Sequence, residues 1–332
     1  MPAEPASPGT ARETAADAPR VAALVINYNG REVTLEALPS LLALDYPACD
    51  VVVVDNGSTD GSREAVAAAF PEERYPHLHQ VRVEENRGPA AGAAAGMRWA
   101  MDRGYDYLLI LNNDIEVAPD FVTELVRAAE SDPKIGIVGP KAFYYWERDT
   151  LWSTGGTLRF AEAVTRERGE NEVDRGQYDR DGEVEYVNGC AMLVKREVVE
   201  AVGLWDPLYF LCFEDADFCV RAREAGYRCH YAHRAVLYHM VSSSTGGYTP
   251  GKTFHSARST ALFVRRHGGL LQRLRALGMI ALAVPAAFVR ELFRGNQAAV
   301  LAKVRGYWDG FRAPLTEPPR WRSSRGGEGG ED

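Results

Sequence analysis

Short β-branched runs that alternate with helical stretches restrict the fold of this chain more than any other feature. The apolar runs predict five buried strands, at 21–26, 50–54, 81–83, 107–111 and 135–138. The intervening stretches have helical spacing and cover 32–44, 62–70, 89–101 and 119–130. Strands that alternate with helices predict an α/β fold with a doubly wound, mostly parallel sheet and helices on both of its faces.

The composition is typical of a globular protein, since 46% of the 332 residues are hydrophobic and 25% are charged. The 38 basic and 46 acidic side chains give a net charge of −8 at pH 7. We therefore expect no nucleic-acid partner held by bulk electrostatics. The five cysteines are odd in number and form no Cys-x-x-Cys motif, which predicts reduced thiols and a cytoplasmic location.

Three segments depart from the alternating pattern. Residues 1–20 lack the apolar core of a signal peptide and predict a disordered tail, and a second disordered tail is predicted at 313–332. From 152 to 187 apolar residues become sparse, which predicts either a flexible hairpin or an insertion.

The C-terminal part of the chain is basic. Residues 258–312 hold ten Lys or Arg against only Glu291 and Asp309, and we predict a basic, amphipathic helical extension at 268–312. Its longest uncharged run, 276–289, has 14 residues, fewer than the ~18 that a membrane span needs. This run predicts either a buried helix or an interfacial helix, the latter giving peripheral membrane contact through 270–310 at the inner face of the plasma membrane.

Acidic side chains follow two of the predicted strands. Asp55 and Asp114 both come directly after apolar runs, and the carboxyl ends of parallel strands share one edge of a sheet. Glu214 and Asp215 open a predicted helix, while His239 ends a predicted strand. Oxygen ligands suit Mg²⁺ or Mn²⁺ beside a diphosphate, and a histidine among them favours Mn²⁺. No Gly-x-Gly-x-x-Gly follows the first strand and no Gly-Lys-Ser/Thr occurs, which disfavours a dehydrogenase or a P-loop kinase.

Several motifs together resemble one enzyme family. The matching stretches are Val-Ile-Asn-Tyr-Asn-Gly at 25–30, Val-Val-Asp-Asn-Gly-Ser-Thr-Asp-Gly at 53–61, Glu-Asn-Arg-Gly-Pro-Ala-Ala-Gly at 85–92, Leu-Asn-Asn-Asp at 111–114, Phe-Glu-Asp-Ala-Asp-Phe-Cys-Val-Arg at 213–221, and His239. In order and spacing the chain resembles family 2 glycosyltransferases with the GT-A fold over about 21–267, and is most similar to bacterial rhamnosyltransferase-type members. The resemblance implies a nucleotide-binding half at about 21–140 and an acceptor half at about 141–267.

The resemblance implies a role for each matching position in donor binding. Asp55 would accept a hydrogen bond from N3–H of uracil or thymine, so the donor would be a UDP- or dTDP-sugar, with dTDP-rhamnose as the leading single candidate. The other implied donor-binding residues are Asn27, Asn29, Asn86, Arg87, Gly88, Asn113 and Arg258.

The resemblance also implies a metal site and a base. Asn112-Asn113-Asp114 stands where the family has Asp-x-Asp, so Asp114 would hold Mn²⁺ or Mg²⁺, with Asn112 replacing the first aspartate and His239 completing the set. Asp215 would deprotonate the acceptor hydroxyl, and Glu214 would orient donor or acceptor. The acceptor would be a glycan, a lipid-linked saccharide or a small molecule.

Each of these residues also has a structural alternative. Asp55 fits an ordinary Asx turn, Asp215 fits a helix N-cap, and His239 fits a packed core histidine. Three aromatic residues before the acidic pair would form either core or an acceptor wall: Tyr209, Phe210 and Phe213. At the level of function, the alternatives to an inverting glycosyltransferase are a non-catalytic sugar-nucleotide-binding or scaffold protein and a nucleotidylyltransferase.

Overall fold

The computed structural model describes residues 18–160, 165–241, 249–292 and 296–321. Its central element is a twisted sheet with helices on both faces, which confirms the predicted α/β fold. The strands that form it and a small adjoining hairpin are β1 Val21–Asn27, β2 Cys49–Asn56, β3 Leu78–Val83, β4 Tyr107–Asn112, β5 Ile115–Val117, β6 Ile135–Tyr144, β7 Leu151–Ser153, β8 Gly156–Leu158, β9 Thr165–Glu167, β10 Gly182–Val184, β11 Ala191–Lys195 and β12 Arg228–His239.

The helices follow the predicted order through the first half of the chain and continue to its C-terminal part. They are α1 Arg31–Leu42, α2 Ser62–Ala69, α3 Pro89–Asp102, α4 Phe121–Glu130, α5 Arg196–Val202, α6 Glu214–Glu224, α7 Pro250–His267, α8 Leu270–Leu292 and α9 Gln297–Arg312.

Strand β11 of the large sheet runs antiparallel to both of its neighbours, and its direction decides where the site forms. The order along the sheet is β10-β12-β6-β11-β4-β1-β2-β3, with β5 paired to β12 and β7 to β6. The pairs β1–β2, β1–β4, β2–β3 and β6–β12 are parallel, whereas β11 is antiparallel to both β4 and β6. The beginning of β11 therefore lies at the same edge as the carboxyl ends of β1, β2 and β4.

The core is divided between the two faces of the sheet, because successive side chains of a strand point to opposite sides. In β1, Ala22 and Leu24 pack with α3, whereas Val21, Ala23 and Val25 pack on the face that α1 and α4 cover. All five side chains are fully buried, as expected of a strand in the middle of a parallel sheet. This double burial is why the strands appear in the sequence as continuous apolar runs.

Helix α9 packs closely on α7 through two glycines. An added Cβ on Gly306 would lie 2.2 Å from the carbonyl oxygen of Phe254, and one on Gly310 would lie 2.4 Å from that of Arg258. The helices approach so closely because no side chain separates their backbones at these points. The predicted helical extension at the C-terminus is thus present, with its last helix fixed to the body.

Helix α8 is longer than the uncharged run from which the sequence predicted a segment too short to span a bilayer. The helix continues beyond the uncharged run, and its stretch Leu270–Glu291 is long and apolar enough, by length and composition alone, to cross a membrane. Only 11% of the most apolar part of this stretch is buried in the protein, so the alternative of a buried core helix is wrong. Large apolar side chains are exposed along it: Leu270, Leu271, Leu274, Leu277, Met279, Leu282, Phe288 and Val289.

The chain after α9 also differs from the predicted disordered tail at 313–332. The carbonyl oxygen of Pro319 accepts a hydrogen bond from Leu204 N at 2.8 Å, and Trp321 Nε1 donates to Asp102 at 2.8 Å. These contacts fix residues up to 321 against the body because they satisfy polar groups on both sides. Residues 322–332 and most of the predicted tail at 1–20 lie outside the described residues.

We predict that Gly306→Ala destabilises the protein, since the new Cβ would collide with the backbone of α7. The free energy of unfolding should fall by about 1–3 kcal/mol, the usual cost of overpacking, as measured by urea denaturation followed by circular dichroism. The matched control is Gly278→Ala in exposed α8, where an added Cβ meets nothing within 4 Å. A Gly306→Ala variant as stable as this control would contradict the close packing of α7 and α9.

Candidate active site

A cavity of about 460 Å³ opens at the edge of the sheet where β1, β2 and β4 end and β11 begins. Five of the residues predicted for the site line it: Asn86, Asn112, Asn113, Glu214 and Asp215. They come from three separate stretches of the sequence, and the sheet topology brings them together. The cavity is the place where the predicted donor and acceptor residues meet.

The turn after β1 is the centre of a polar network that joins three strands. Asn27 is fully buried, and its Oδ1 accepts hydrogen bonds from Asn113 Nδ2 at 3.0 Å and from Thr34 Oγ1 at 3.0 Å. Its Nδ2 lies 3.4 Å from Asp55 Oδ1 and 3.2 Å from Ser58 Oγ. Buried polar side chains need such partners, and here the partners hold the ends of β1, β2 and β4 in register.

Asp55 and Asn29 belong to the same region but have different surroundings. Asp55 is buried at the end of β2 beside Asn27. Asn29 is exposed and joins the two turns, since its backbone N–H donates to Ser58 Oγ at 2.9 Å and its Oδ1 accepts from Thr59 N at 2.8 Å. Asn29 also has a positive φ of 48°, a conformation that asparagine tolerates better than most residues.

The turn before α3 is tied to β2 by an asparagine pair. Asn56 Nδ2 donates to Asn86 Oδ1 and to the carbonyl oxygen of Gly88, both at 3.1 Å. Gly88 has a φ of 92°, and an added Cβ would lie 2.1 Å from the carbonyl oxygen of Phe210. Only glycine therefore fits where the loop before α6 crosses this turn. Arg87 points elsewhere and forms an exposed ion pair with Glu85 at 3.1 Å.

The residues predicted to hold a metal form a compact group beside the cavity. His239 Nε2 lies 3.1 Å from Asp114 Oδ1 and 3.3 Å from Asn112 Nδ2. Asp114 and His239 are both buried, and His239 packs edge-on against Trp152. His239 is thus a packed histidine that also faces the acidic turn, and its role as a metal ligand stays a prediction. Within the described residues, no group of three or more His, Cys, Asp or Glu side chains gathers in a metal-binding arrangement.

The acidic pair opens α6 at the opposite wall of the cavity. The N-cap position belongs to Phe213, which has a φ of 69°, so the alternative that Asp215 is the N-cap is wrong. Asp215 Oδ2 instead accepts a hydrogen bond from Gly189 N at 2.8 Å, and its Oδ1 accepts from Ala216 N at 2.7 Å. These bonds fix the carboxylate of Asp215 between α6 and the turn before β11.

Glu214 and Asp215 differ in how their ionised forms are stabilised. Burial raises the pKa of both carboxyls, and the charge of Asp215 raises the pKa of Glu214 further. The two backbone N–H groups favour the ionised form of Asp215, whereas Glu214 Oε2 is buried without a hydrogen-bond partner in the described structure. We infer that a proton shared by the pair stays on Glu214, which leaves Asp215 as the ionised member.

A buried ion cluster anchors the first turn of α6 from behind. Asp217 is completely buried and accepts hydrogen bonds from Arg221 at 2.8 Å, His267 at 2.8 Å and Arg266 at 3.1 Å. Burial alone would raise the pKa of Asp217, but the His267 hydrogen bond and the two guanidinium charges outweigh it and lower the pKa well below its usual range. The cluster joins α6 to α7, so the acidic pair sits on a rigid support.

The aromatic residues before α6 divide between the two roles considered for them. Tyr209 is completely buried, and Phe213 packs against the core. Phe210 lines the cavity and stacks on His255, with 4.1 Å between the ring centroids. The guanidinium of Arg258 donates hydrogen bonds to Leu208 O at 2.7 Å and to the Asp309 carboxylate at 2.6 Å. Arg258 lies with Arg87 in a neighbouring groove.

Several cavity residues were not assigned a role from the sequence. Asn56 lies inside a motif that matched the family and could have been found there. The sequence at Asn188 and Gly189 indicates only a turn. It could not place them at the site, because their position depends on the antiparallel direction of β11. The other unassigned lining residues include Trp205, Lys252 and His255.

Comparison with known proteins decides the family. The family model described as Glycosyl transferase family 2 matches residues 23–203, more than half of the chain. The chain belongs to glycosyltransferase family 2. This glycosyltransferase is 30% identical over 216 residues to an uncharacterised protein of Mycobacterium tuberculosis, covering 62% of this chain and 77% of the relative. It is also 26% identical over 226 residues to the poly-beta-1,6-N-acetyl-D-glucosamine synthase of Staphylococcus aureus, covering 68% of this chain and 50% of that protein.

Solved structures show the same GT-A fold. A mannosyltransferase from Pyrobaculum calidifontis, solved with GDP-Man and Mn²⁺, superposes with a TM-score of 0.57 at 18% identity and covers 92% of this chain and 91% of that chain. GalNAc-T7, solved with UDP, GalNAc and Mn²⁺, gives a TM-score of 0.60 at 13% identity over 80% of this chain and 54% of that chain. The predicted glycosyltransferase family 2 and GT-A fold are therefore confirmed, whereas the similarity to rhamnosyltransferase-type members stays a prediction.

Proposed function

We propose that this glycosyltransferase is an inverting enzyme that moves a sugar from a UDP- or dTDP-sugar to a hydroxyl acceptor, with Asp215 as the base. The observation that carries the proposal is the placement of Asp215 in one cavity with Asn112 and Asn113, at the carboxyl edge of the sheet. Inversion needs one base on the acceptor side and a separate means of stabilising the departing diphosphate. The two walls of the cavity supply these two functions from different elements.

The donor would lie over the ends of β1, β2 and β4. Asp55 would accept a hydrogen bond from N3–H of the pyrimidine, since its carboxylate lies beside Asn27 at the end of β2. This edge is common to uracil and thymine, so UDP- and dTDP-sugars both remain candidates, with dTDP-rhamnose among them. Asn86 and Gly88 would border the nucleotide on the α3 side, where Asn56 holds them.

The chemical step transfers one proton and one glycosyl group. Asp215 would accept the proton of the acceptor hydroxyl as its oxygen attacks the anomeric carbon of the sugar. The bond from that carbon to the diphosphate oxygen would break on the opposite face, and the diphosphate would leave with the electron pair. The two backbone hydrogen bonds would keep Asp215 ionised and oriented for this role, while a protonated Glu214 would donate a hydrogen bond to a substrate.

The group around His239 has the donor types that a divalent cation would need. Asp114 offers a carboxylate, Asn112 a side-chain amide and His239 an imidazole nitrogen. Asp114 Oδ1 and Asn112 Nδ2 lie 3.1 and 3.3 Å from His239 Nε2, so the Asn112 amide would have to turn to offer its oxygen to a cation. These donors fit Mn²⁺ or Mg²⁺, with the rest of the shell left for phosphate oxygens and water. A bound cation would neutralise charge on the departing diphosphate.

The exposed apolar surface of α8 supports a second part of the proposal, contact with an anionic lipid bilayer. Arginines border its apolar stretch at both ends, with Arg273 and Arg275 near the start and Arg290 near the end. Helix α9 adds exposed Leu301 and Trp308. Apolar side chains flanked by cations are typical of helices that bind at membrane surfaces. We place the enzyme in the cytoplasm at the membrane surface, where a lipid-linked saccharide could serve as acceptor.

We predict that Asp215→Asn lowers kcat by about 10²–10⁴, the usual contribution of general base catalysis, because an amide cannot accept the acceptor proton. Donor binding should be retained, since the nucleotide would lie over the ends of β1, β2 and β4, although the amide oxygen of Asn can accept only one of the two backbone hydrogen bonds. Release of nucleoside diphosphate and calorimetric donor titration measure the two effects. Asp120→Asn, at the exposed N-cap of α4, is the matched control. A fully active Asp215→Asn enzyme would refute the role of the base.

We predict that Asp114→Asn raises the Mn²⁺ concentration needed for half-maximal activity and lowers kcat/KM by about 10–100-fold, because the only carboxylate of the donor group is lost. The assay is release of nucleoside diphosphate from a panel of UDP-, dTDP- and GDP-sugars, with Mn²⁺, Mg²⁺ or a chelator. Full activity of the unaltered enzyme in the chelator would remove the metal from the proposal. Metal-dependent nucleotide binding without transfer or donor hydrolysis would instead favour a non-catalytic binding protein.

We predict that the protein sediments with vesicles of phosphatidylcholine and phosphatidylglycerol, and that high salt reduces the bound fraction. Replacing exposed Leu274 and Leu282 together by Glu should weaken binding at least about tenfold, since each leucine would lose its burial in the bilayer. Val173→Glu, at an exposed apolar residue elsewhere, is the control. Unchanged sedimentation of the double variant would exclude α8 as the lipid contact, and concentration-dependent dimerisation without lipid binding would assign this face to a second copy of the chain.

A further inference from the structure

A carboxylate outside the cavity, that of Glu167, lies directly behind the turn that holds Asp215. Glu167 ends β9, in the part of the sequence where the apolar pattern is weakest. Its Oε1 accepts a hydrogen bond from Asn188 Nδ2 at 3.0 Å. Asn188 lines the cavity, so one amide group separates Glu167 from the reaction space.

The Glu167 carboxylate is held by neutral donors alone. Besides Asn188, the hydroxyl groups of Ser153 and Tyr186 donate to it. In the part of the chain that the structure describes, no cation forms an ion pair with it. The site is closely built around Tyr186, since an added Cβ on Gly156 would lie 2.0 Å from its ring. These three hydrogen bonds favour the ionised carboxylate and so oppose the effect of burial, and no counter-charge screens the ionised form.

The contacts continue from Glu167 to Asp215 without interruption. Asn188 Oδ1 accepts a hydrogen bond from Cys190 N at 2.9 Å, so both ends of its side-chain amide are fixed. Between these two residues, Gly189 N donates to Asp215 Oδ2 at 2.8 Å. Gly189 packs closely against both neighbours, because an added Cβ would lie 2.9 Å from Trp205 and 3.3 Å from Asp215. The turn therefore transmits the position of Asn188 to the Asp215 carboxylate.

We propose that Glu167 is a positioning residue for sugar transfer: it locks Asn188 and Gly189 against Asp215 and places a negative charge behind that base. The inference rests on the proposed role of Asp215 as the base. Like charges raise each other's proton affinity, so a charge at Glu167 makes Asp215 a stronger base than its two backbone hydrogen bonds alone would allow. Glu167 itself touches no substrate in this arrangement.

The surrounding titratable groups are consistent with this role. Burial raises the pKa of Glu167, the hydrogen bonds from Ser153, Tyr186 and Asn188 lower it, and the charge of Asp215 raises it, so the two carboxyls are close enough to interact. Burial also raises the pKa of the Tyr186 hydroxyl, which keeps it a neutral donor. Among the described residues, the other titratable groups near Asp215 are Glu214, the thiols of Cys190, Cys212 and Cys219, and Lys252 and His255, which line the same cavity.

The decisive experiment titrates Asp215 directly in the full chain. Carboxyl-¹³C-labelled aspartate gives the Asp215 resonance, assigned by its loss in Asp215→Asn, and its midpoint is followed with pH in Glu167→Gln. We expect the midpoint to move to lower pH, because the variant keeps the size of the side chain but removes its charge. The control is Glu183→Gln, an exposed carboxylate on neighbouring β10, which should leave the midpoint in place.

A kinetic measurement checks that the shift matters for the reaction. In Glu167→Gln, kcat should fall by about 10-fold with KM for the donor unchanged, and the acidic limb of the kcat profile should move to lower pH with the Asp215 midpoint. Tyr186→Phe removes one donor from Glu167 and should shift the midpoint in the same direction by a smaller amount. This second variant decides the question if Glu167→Gln does not fold.

The outcomes separate this inference from the proposed function. An unchanged Asp215 midpoint in Glu167→Gln, or in Tyr186→Phe if only that variant folds, overturns the positioning role whatever the activity of the enzyme. Equal loss of activity in Glu167→Gln and Glu183→Gln would also overturn it. A chain that transfers no sugar from any donor would contradict the proposed function, while the carboxyl titration would still decide whether Glu167 acts on Asp215.

Discussion

The site depends on one reversed strand. Because β11 lies antiparallel between β4 and β6, the turn that precedes it reaches the edge of the sheet where the parallel strands end. That turn carries Asn188 and Gly189, and the Gly189 amide holds Asp215. A parallel β11 would place the same turn at the far edge, and the acidic pair would have no partner beside the nucleotide half.

Two supports of different chemistry hold the two walls of the cavity. At the carboxyl edge of the sheet, the buried Asn27 amide connects the ends of β1, β2 and β4 by hydrogen bonds. At the opposite wall, Asp217 anchors α6 through charged partners, chiefly Arg221 and His267. Buried polar groups with all partners in place rigidify a structure, whereas groups left unpaired destabilise it. Asn56 and Glu214 each have a buried side-chain oxygen without a hydrogen-bond partner in the described structure, and both residues line the cavity.

The C-terminal helices add a surface that the catalytic body does not need. Glycines let α9 approach α7 closely, while α8 leaves most of its apolar side chains exposed. Apolar surface exposed to this extent is typical of a site that contacts another apolar phase or partner. The proposed location and the proposed lipid-linked acceptor therefore depend on the same element.

The sequence by itself determined the α/β fold, because the fold depends on local periodicity, and its motifs indicated the family by resemblance. It also selected five of the residues that line the cavity, because they lie in those motifs. Asp55, Asp114 and Asp215 could be selected from their neighbours in the chain. Only the tertiary structure decided that Phe213, not Asp215, caps α6, that Arg258 binds Leu208 and Asp309, and that Asn188 and Gly189 border the cavity. These facts depend on strand direction and on contacts between distant segments, which no local pattern records.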